Sequence, residues 1–185
     1  MYRKAPNGVE LFLLTGNVYQ FSAPQDYLNE MWVITMIRRR ISKEALEGSA
    51  YEEWNAFIDL IAMEDYKDLN HVQRIAHLCF WYDSEVQNGG HIQYFENKGT
   101  AKIDETIIAL KSLGAMKQAD ILSQVYEKYS SKVRKKLYNK LTFIIESRKG
   151  EYERFDNQYY ASEPTVTELL ENYLAMHKLD FILVM

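Results

Sequence analysis

The side chains able to do chemistry are concentrated in one short stretch, residues 85–99. Glu85, His91 and Glu96 place two carboxylates near one imidazole in this stretch. A histidine and a carboxylate can share a proton in acid–base catalysis, and Glu85 with His91 could contribute to a metal site. The spacing matches no known motif, since the sequence has no His-Glu-x-x-His, no Gly-x-Ser-x-Gly and a single cysteine, Cys79. We therefore favour a structural role over a binding site, and a binding site over catalysis.

The same stretch contains a strong helix stop. Asn88-Gly89-Gly90 would end a helix, because Asn and Gly tolerate positive φ and two glycines let the backbone turn sharply. A short helix over 91–97 follows and ends before Gly99. We expect Gly89→Val to destabilise the fold, because a β-branched residue there would be strained if the φ of Gly89 is positive.

Two interpretations of the polar side chains around this turn remain open. In the structural one, Gln93 and Asn97 bond exposed backbone at the helix ends, and Glu85 bonds amides of the turn. In the competing one, Glu85, His91 and Gln93 line a concave pocket that solvent reaches, which would indicate a small-ligand binder or an enzyme.

Helical periodicity dominates the rest of the chain. The series Ile103, Ile107, Leu110, Leu113 is one example, and it stops at Gly114. A Ser, Thr or Asn followed three residues later by Glu or Gln has the spacing of a capping box. Such pairs occur at Ser22/Gln25, Ser49/Glu52, Asn70/Gln73 and Thr165/Glu168. We predict one mostly all-α domain spanning 1–185, with about seven to nine helices.

Residues 9–21 are the exception, because they have the pattern of a β-hairpin. Two apolar, β-rich segments flank Thr15-Gly16-Asn17, a turn sequence. A lone hairpin is marginally stable in water, so it needs a further partner. The apolar C-terminal residues 181–185 are the candidate third strand.

Composition excludes several classes of protein. The chain has 185 residues, of which 47% are hydrophobic, so it can bury a core and is not intrinsically disordered. One cysteine excludes a disulfide scaffold. No stretch has the about 7–15 apolar residues of a signal core or the roughly 18 of a membrane span. We expect a cytoplasmic protein that does not bind membranes.

Charge is segregated along the chain although the net charge is only −4. Residues 41–70 hold eight acids and two bases, whereas 128–149 hold eight bases and one acid. Residues 150–185 are again acidic. The blocks predict surface patches of opposite sign, unless their charges pair with neighbouring helices. The mild net charge argues against direct nucleic-acid binding.

The pattern Glu-x-x-Asn-Gly-Gly-x-x-Gln-Tyr-Phe-x-Asn-x-x-Gly at 85–99 resembles the core signature of a bacterial family named after a DNA-mimic protein. The matching residues are Glu85, Asn88, Gly89, Gly90, Gln93, Tyr94, Phe95, Asn97 and Gly99. Weaker similarity covers about 70–176, including an Asp followed by aromatics at 155–160. The resemblance implies a mostly helical fold, no cofactor and no established catalytic residue. It also raises DNA mimicry, in which carboxylates stand where phosphates would.

From this resemblance and the charge blocks we expect a non-enzymatic interaction module, monomeric or homodimeric. It would bind a protein through acids in 41–70 and 150–171, and the basic block would then have to lie on another face. A DNA-binding protein is one candidate partner, and a toxin that this chain would neutralise as an immunity-type protein is another. The acids that we expect to bind the partner are Glu52, Glu53, Asp59, Glu64, Asp65, Glu163, Glu168 and Glu171.

Overall fold

Three short strands near the N-terminus form an antiparallel sheet. They are β1 (Tyr2–Ala5), β2 (Gly8–Phe12) and β3 (Val18–Phe21), paired in that order. The predicted hairpin of 9–21 is confirmed as β2 and β3, with Phe12 opposite Val18. The predicted third strand was wrong: β1 completes this sheet, and the C-terminal residues pair elsewhere. The turn at 15–17 lies outside the described residues.

The computed structural model describes residues 2–5, 8–12, 18–21, 36–49, 51–131 and 150–185. Contacts divide the chain into two units, 1–36 and 37–185. The second unit is helical, which confirms the predicted fold class. In its described residues the elements are β4 (Arg39–Ile41), α1 (Lys43–Gly48), α2 (Glu52–Met63), a 3₁₀ turn (Tyr66–Asp68), α3 (His71–Lys98), α4 (Ile103–Leu113), α5 (Met116–Ser130), α6 (Glu153–Tyr160), α7 (Val166–Phe181) and β5 (Ile182–Val184).

Local sequence determines where the two longest helices begin. At α3 the Asn70 carboxamide accepts from the backbone N–H of Gln73 at 2.8 Å, and Gln73 Oε1 accepts from Asn70 N at 3.0 Å. Thr165 and Glu168 form the same reciprocal box at α7. Both satisfy backbone donors that a helix start leaves unpaired.

The capping box expected at Ser49 was wrong. The residue before α2 is Tyr51, without a side-chain cap, and Ser49 Oγ instead accepts from Tyr51 N at 3.3 Å. Ser22 and Gln25 lie outside the described residues.

Helix α3 is the centre of the helical unit. It packs against α2, α4, α6 and α7, and α4 packs in turn on α5. Its fully buried side chains include Tyr82 and Val86, and those of α2 include Phe57 and Leu60. Burying such side chains is worth about 1.5–3 kcal/mol each. The packing of these four helices on α3 therefore stabilises the helical unit.

A buried amide joins the two ends of the helical unit. Gln73 has no solvent exposure, and its Nε2 donates to the carbonyl of Ile37 at 2.6 Å and to that of Asp180 at 2.7 Å. Nearby, β4 and β5 pair in parallel, with Arg39 opposite Ile182. The C-terminal residues therefore close the helical unit rather than extend the N-terminal sheet.

Candidate functional site

The two glycines of the signature bend helix α3. Gly89 has φ −161° and Gly90 has φ +71° with ψ −176°, so the helix is interrupted between 88 and 91. The predicted helix stop and the short second helix are confirmed. The condition of a positive φ is not met at Gly89, whose φ is one that any residue adopts, and the left-handed residue is Gly90. A Cβ on Gly89 would nevertheless overlap Oε1 of Gln93.

Glu85 holds the two arms of the bent helix together. Its Oε2 accepts from Gln93 Nε2 at 2.9 Å and from Asn97 Nδ2 at 2.7 Å. Lys98 Nζ lies 3.8 Å from the other oxygen. Gln93 and Asn97 thus bond this carboxylate, and not the backbone as expected. Because Glu85 is only 8% exposed, the three side chains act as an internal brace.

His91 occupies the inside of the bend and is completely buried. Asp156 Oδ1 accepts from the His91 backbone N–H at 2.9 Å and from Nδ1 of the ring at 2.6 Å. The other ring nitrogen, Nε2, lies 2.9 Å from the hydroxyl of Tyr82. The carboxylate that shares a proton with His91 is therefore Asp156 of α6, and not Glu85.

Tyr82, which ends this series of hydrogen bonds, keeps its proton. Complete burial raises the pKa of Tyr82 well above its ordinary value. The tautomer with a proton on Nδ1 satisfies both ring nitrogens, because Asp156 accepts from Nδ1 and the Tyr82 hydroxyl donates to Nε2. Both ring nitrogens are thus occupied inside the protein. This arrangement locks α6 onto the bend and leaves no imidazole nitrogen for an outside substrate.

The other signature residues divide into buried and exposed groups. Tyr94 donates to Oγ1 of Thr106 at 3.2 Å, and burial raises its pKa to about 12. Phe95 stacks on Tyr129 with ring centroids 4.2 Å apart. Gly99 ends α3, with its N–H donating to the Phe95 carbonyl. The side chain of Asn88 is exposed and makes no hydrogen bond within the described residues.

Several of the predicted partner-binding acids are used inside the chain. The Arg39 guanidinium contacts both Asp59, with Nε 2.5 Å from Oδ2, and Glu64, with Nη1 2.7 Å from Oε1. Lys178 Nζ lies 2.5 Å from Oε2 of Glu53, which joins α7 to α2. These three carboxylates are already partly neutralised.

The remaining acids differ in what their carboxylates contact. Asp65 pairs with Lys67 at 3.4 Å in an exposed contact that is worth little. Glu168 caps α7, and the backbone hydrogen bond with Thr165 lowers its pKa. Three form no ion pair within the described part of the chain: Glu52, Glu163 and Glu171.

Most of the predicted basic block is outside the described residues, which omit 132–149. Lys128 is described, and its Nζ donates to the Glu151 carbonyl at 2.6 Å. Among the residues the structure describes, no three His, Cys, Asp or Glu side chains are grouped so as to hold a metal. None of the described helices has the length and apolar character needed to cross a membrane.

Sequence reasoning missed the links between distant residues. The resemblance pointed to an Asp followed by aromatics at 155–160, but gave no reason to join Asp156 to His91. Tyr82 lies outside the signature, and no local pattern indicated its hydrogen bond to His91. Tyr159, one of those aromatics, donates its hydroxyl to Asp83 Oδ1 at 2.6 Å, and no motif singled out Asp83.

Together, the bent central helix and its satisfied polar network define a helical protein in which most signature residues make contacts inside the fold. The chain belongs to the DMP19-like protein family, a family of DNA-mimic proteins, whose model matches residues 67–177. No curated protein and no solved structure matches the sequence.

Proposed function

We propose that this chain is a non-enzymatic module that binds a DNA-binding protein in the place of DNA. Membership of the DNA-mimic family carries the proposal. It is supported by Glu52 on α2 and Glu171 on α7, whose carboxylates have no internal cation in the described residues. Helices α2 and α7 pack together, so these acids belong to one pair of helices.

The internal ion pairs narrow the set of acids that a partner can use. Glu53, Asp59 and Glu64 would have to leave Lys178 or Arg39 before they could bind another cation. Glu52, Glu163 and Glu171 require no such exchange. We therefore assign the partner-binding surface to these three, with Asp65 and Glu168 at its margin.

The enzymatic alternative, with its pocket in 85–99, is disfavoured by the burial of the side chains it needs. His91 has no exposed surface and Glu85 very little, and both side chains form hydrogen bonds inside the protein. A catalytic group must reach the proton that it transfers. We therefore propose no catalytic residue in this chain.

A mimic should compete with DNA for its partner, and this is the direct test. The partner is captured on the immobilised protein from a lysate of the producing cell at low salt, identified by mass spectrometry and purified. We expect duplex DNA to displace this chain from the partner, and the affinity to fall steeply with salt. Simultaneous binding of the chain and the duplex would contradict mimicry. Capture of a toxin would support the immunity-type alternative instead.

The residues are tested by charge reversal. We expect Glu52→Lys with Glu171→Lys to weaken partner binding by about tenfold or more, since like charges then face each other. The matched control is Asp120→Lys with Glu127→Lys, two exposed acids on α5. If both double variants weaken binding equally, the assignment to α2 and α7 is wrong.

A further inference from the structure

An open groove of about 520 Å³ lies between α2, α3 and α7, outside the polar network of the bend. Its lining includes Trp54, Phe80, Asp83, Gln87, Asn88 and Thr167, and we call it the Asp83 groove. The volume is in the range of ligand sites in proteins. None of the roles assigned above uses this groove, although α2 and α7 also carry the acids of the proposed binding surface.

Two aromatic side chains contribute to the lining of the Asp83 groove. Trp54 and Phe80 are half-buried side chains that line it, above a floor that includes Leu170. Aromatic faces attract cations, and they attract the planar guanidinium most effectively because it also stacks on them.

Its polar side chains present hydrogen-bond acceptors. Asp83 supplies a carboxylate, which Tyr159 holds in place through a 2.6 Å hydrogen bond to Oδ1. The Thr167 hydroxyl donates to Oδ2 at 3.4 Å, so each oxygen keeps a lone pair for a further donor only at its open side. Gln87 directs its Nε2 toward Oδ1 at 3.5 Å, so its carbonyl oxygen is available for another donor. Asn88, the signature residue without a hydrogen bond in the described residues, lines the same groove and adds a second amide carbonyl.

We propose that the Asp83 groove binds an arginine side chain of the partner protein. Arginine presents five N–H donors in a plane, which suits a carboxylate and two amide carbonyls beside two aromatic side chains. A lysine ammonium has three donors and is more strongly hydrated, so it fits this set less well. The inference rests on the proposed function, because a protein that binds DNA carries arginines on its DNA-binding surface.

The surroundings favour a protein over a small molecule as the source of the arginine. The groove is open to solvent, and the two helices that flank it carry Glu52 and Glu171. A partner that lays a basic surface on these acids would bring its arginines to the groove between them. Asn88 then has a role in recognition, whereas the rest of the signature maintains the bend.

The inference is tested with a blocked peptide, Gly-Ser-Arg-Ser-Gly, titrated into isotope-labelled full-length protein and followed by NMR. We expect the Trp54 indole N–H and the side-chain amides of Gln87 and Asn88 to shift. A peptide with citrulline, which has the shape of arginine without its charge, should leave them unchanged. The lysine peptide should bind at least about fivefold more weakly. Equal shifts from the citrulline peptide, or none from arginine, would overturn the inference.

Two variants test where the peptide binds, and one small probe tests whether the bound arginine must belong to a protein. Asp83→Asn keeps an oxygen for the Tyr159 hydroxyl but removes the charge, so we expect about tenfold weaker peptide binding. Asp120→Asn, on α5, should change nothing. Free arginine amide that binds as tightly as the peptide would show a small-cation site and overturn the protein source. The titration needs no partner, so a failure of the Glu52 and Glu171 experiment leaves its outcome readable.

Discussion

Gly90 and Asp156 lie so close together that only a glycine fits at position 90. A Cβ on Gly90 would lie 2.6 Å from Oδ2 of Asp156 and 2.9 Å from its Cγ, distances that real Cβ atoms essentially never show. The missing side chain lets the Asp156 carboxylate reach both the backbone and the ring of His91. The bend in α3 and the docking of α6 are therefore one structural unit.

Gly90→Ala should destabilise the protein strongly, for two separable reasons. Gly90 has φ +71° and ψ −176°, a conformation that costs about 1–3 kcal/mol in other residues. The contact with Asp156 adds to this cost. Gly99→Ala is the matched control, because Gly99 has φ 70° and ψ −161° but nothing within 4 Å of the place that a Cβ would occupy.

Chemical denaturation of the two variants gives the comparison. We expect Gly90→Ala to lose more free energy of unfolding than Gly99→Ala, the difference being the contact with Asp156. Equal losses would show that α6 does not rest on Gly90.

The Tyr82–His91–Asp156 chain should be energetically coupled. Tyr82→Phe leaves Nε2 of buried His91 without a donor, and Asp156→Asn removes the charge that faces Nδ1. Each should lower the free energy of unfolding by about 1–3 kcal/mol. A double-mutant cycle should give a coupling of at least about 0.5 kcal/mol. If the free-energy losses of the two substitutions simply add, the residues do not share a network. Asp120→Asn is the control and should leave the free energy of unfolding unchanged.

The protein should unfold at alkaline pH as its buried tyrosines ionise. Burial raises the pKa of Tyr94 from the ordinary 10 to about 12, and it raises those of Tyr82 and Tyr159 well above 10. Between the ordinary pKa of 10 and the raised pKa values, tyrosines of the unfolded chain lose protons that the folded chain keeps. The free energy of unfolding therefore falls as the pH rises above 10. Below 10 this contribution is fully present.

The measurement is a pH titration of tyrosinate absorbance alongside circular dichroism. We expect these three tyrosines to ionise only as the helices unfold. If they ionise well before the loss of helix, they are not buried in solution as described.

Gln73 should be intolerant of an apolar substitute. Gln73→Leu leaves the carbonyls of Ile37 and Asp180 without their donor, at a cost of about 1–3 kcal/mol for each buried group. Gln124→Leu, at an exposed position on α5, controls for the substitution itself. Thermal unfolding should show a large loss for the first variant and almost none for the second. Equal stability of the two variants would mean that the Gln73 amide does not join the two ends of the helical unit.

Some features could be predicted from the sequence because they depend on neighbours in the chain. The capping boxes at Asn70 and Thr165 need partners only three residues away. The helix stop at 88–90 follows from the conformational freedom of glycine. The hairpin of 9–21 depends on a short turn between two β-rich segments.

Other features were decided by tertiary structure. Which glycine is left-handed depends on the space that Asp156 needs, 66 residues further along the chain. The availability of the predicted acids depends on Arg39 and Lys178, which no spacing rule connects to them. Local propensity acts over a few residues, whereas burial and ion pairing depend on which distant segments meet. The sequence by itself therefore determined the helices and the break at 88–90, and the packing of α6 and α7 on α3 decided what the side chains at that break contact.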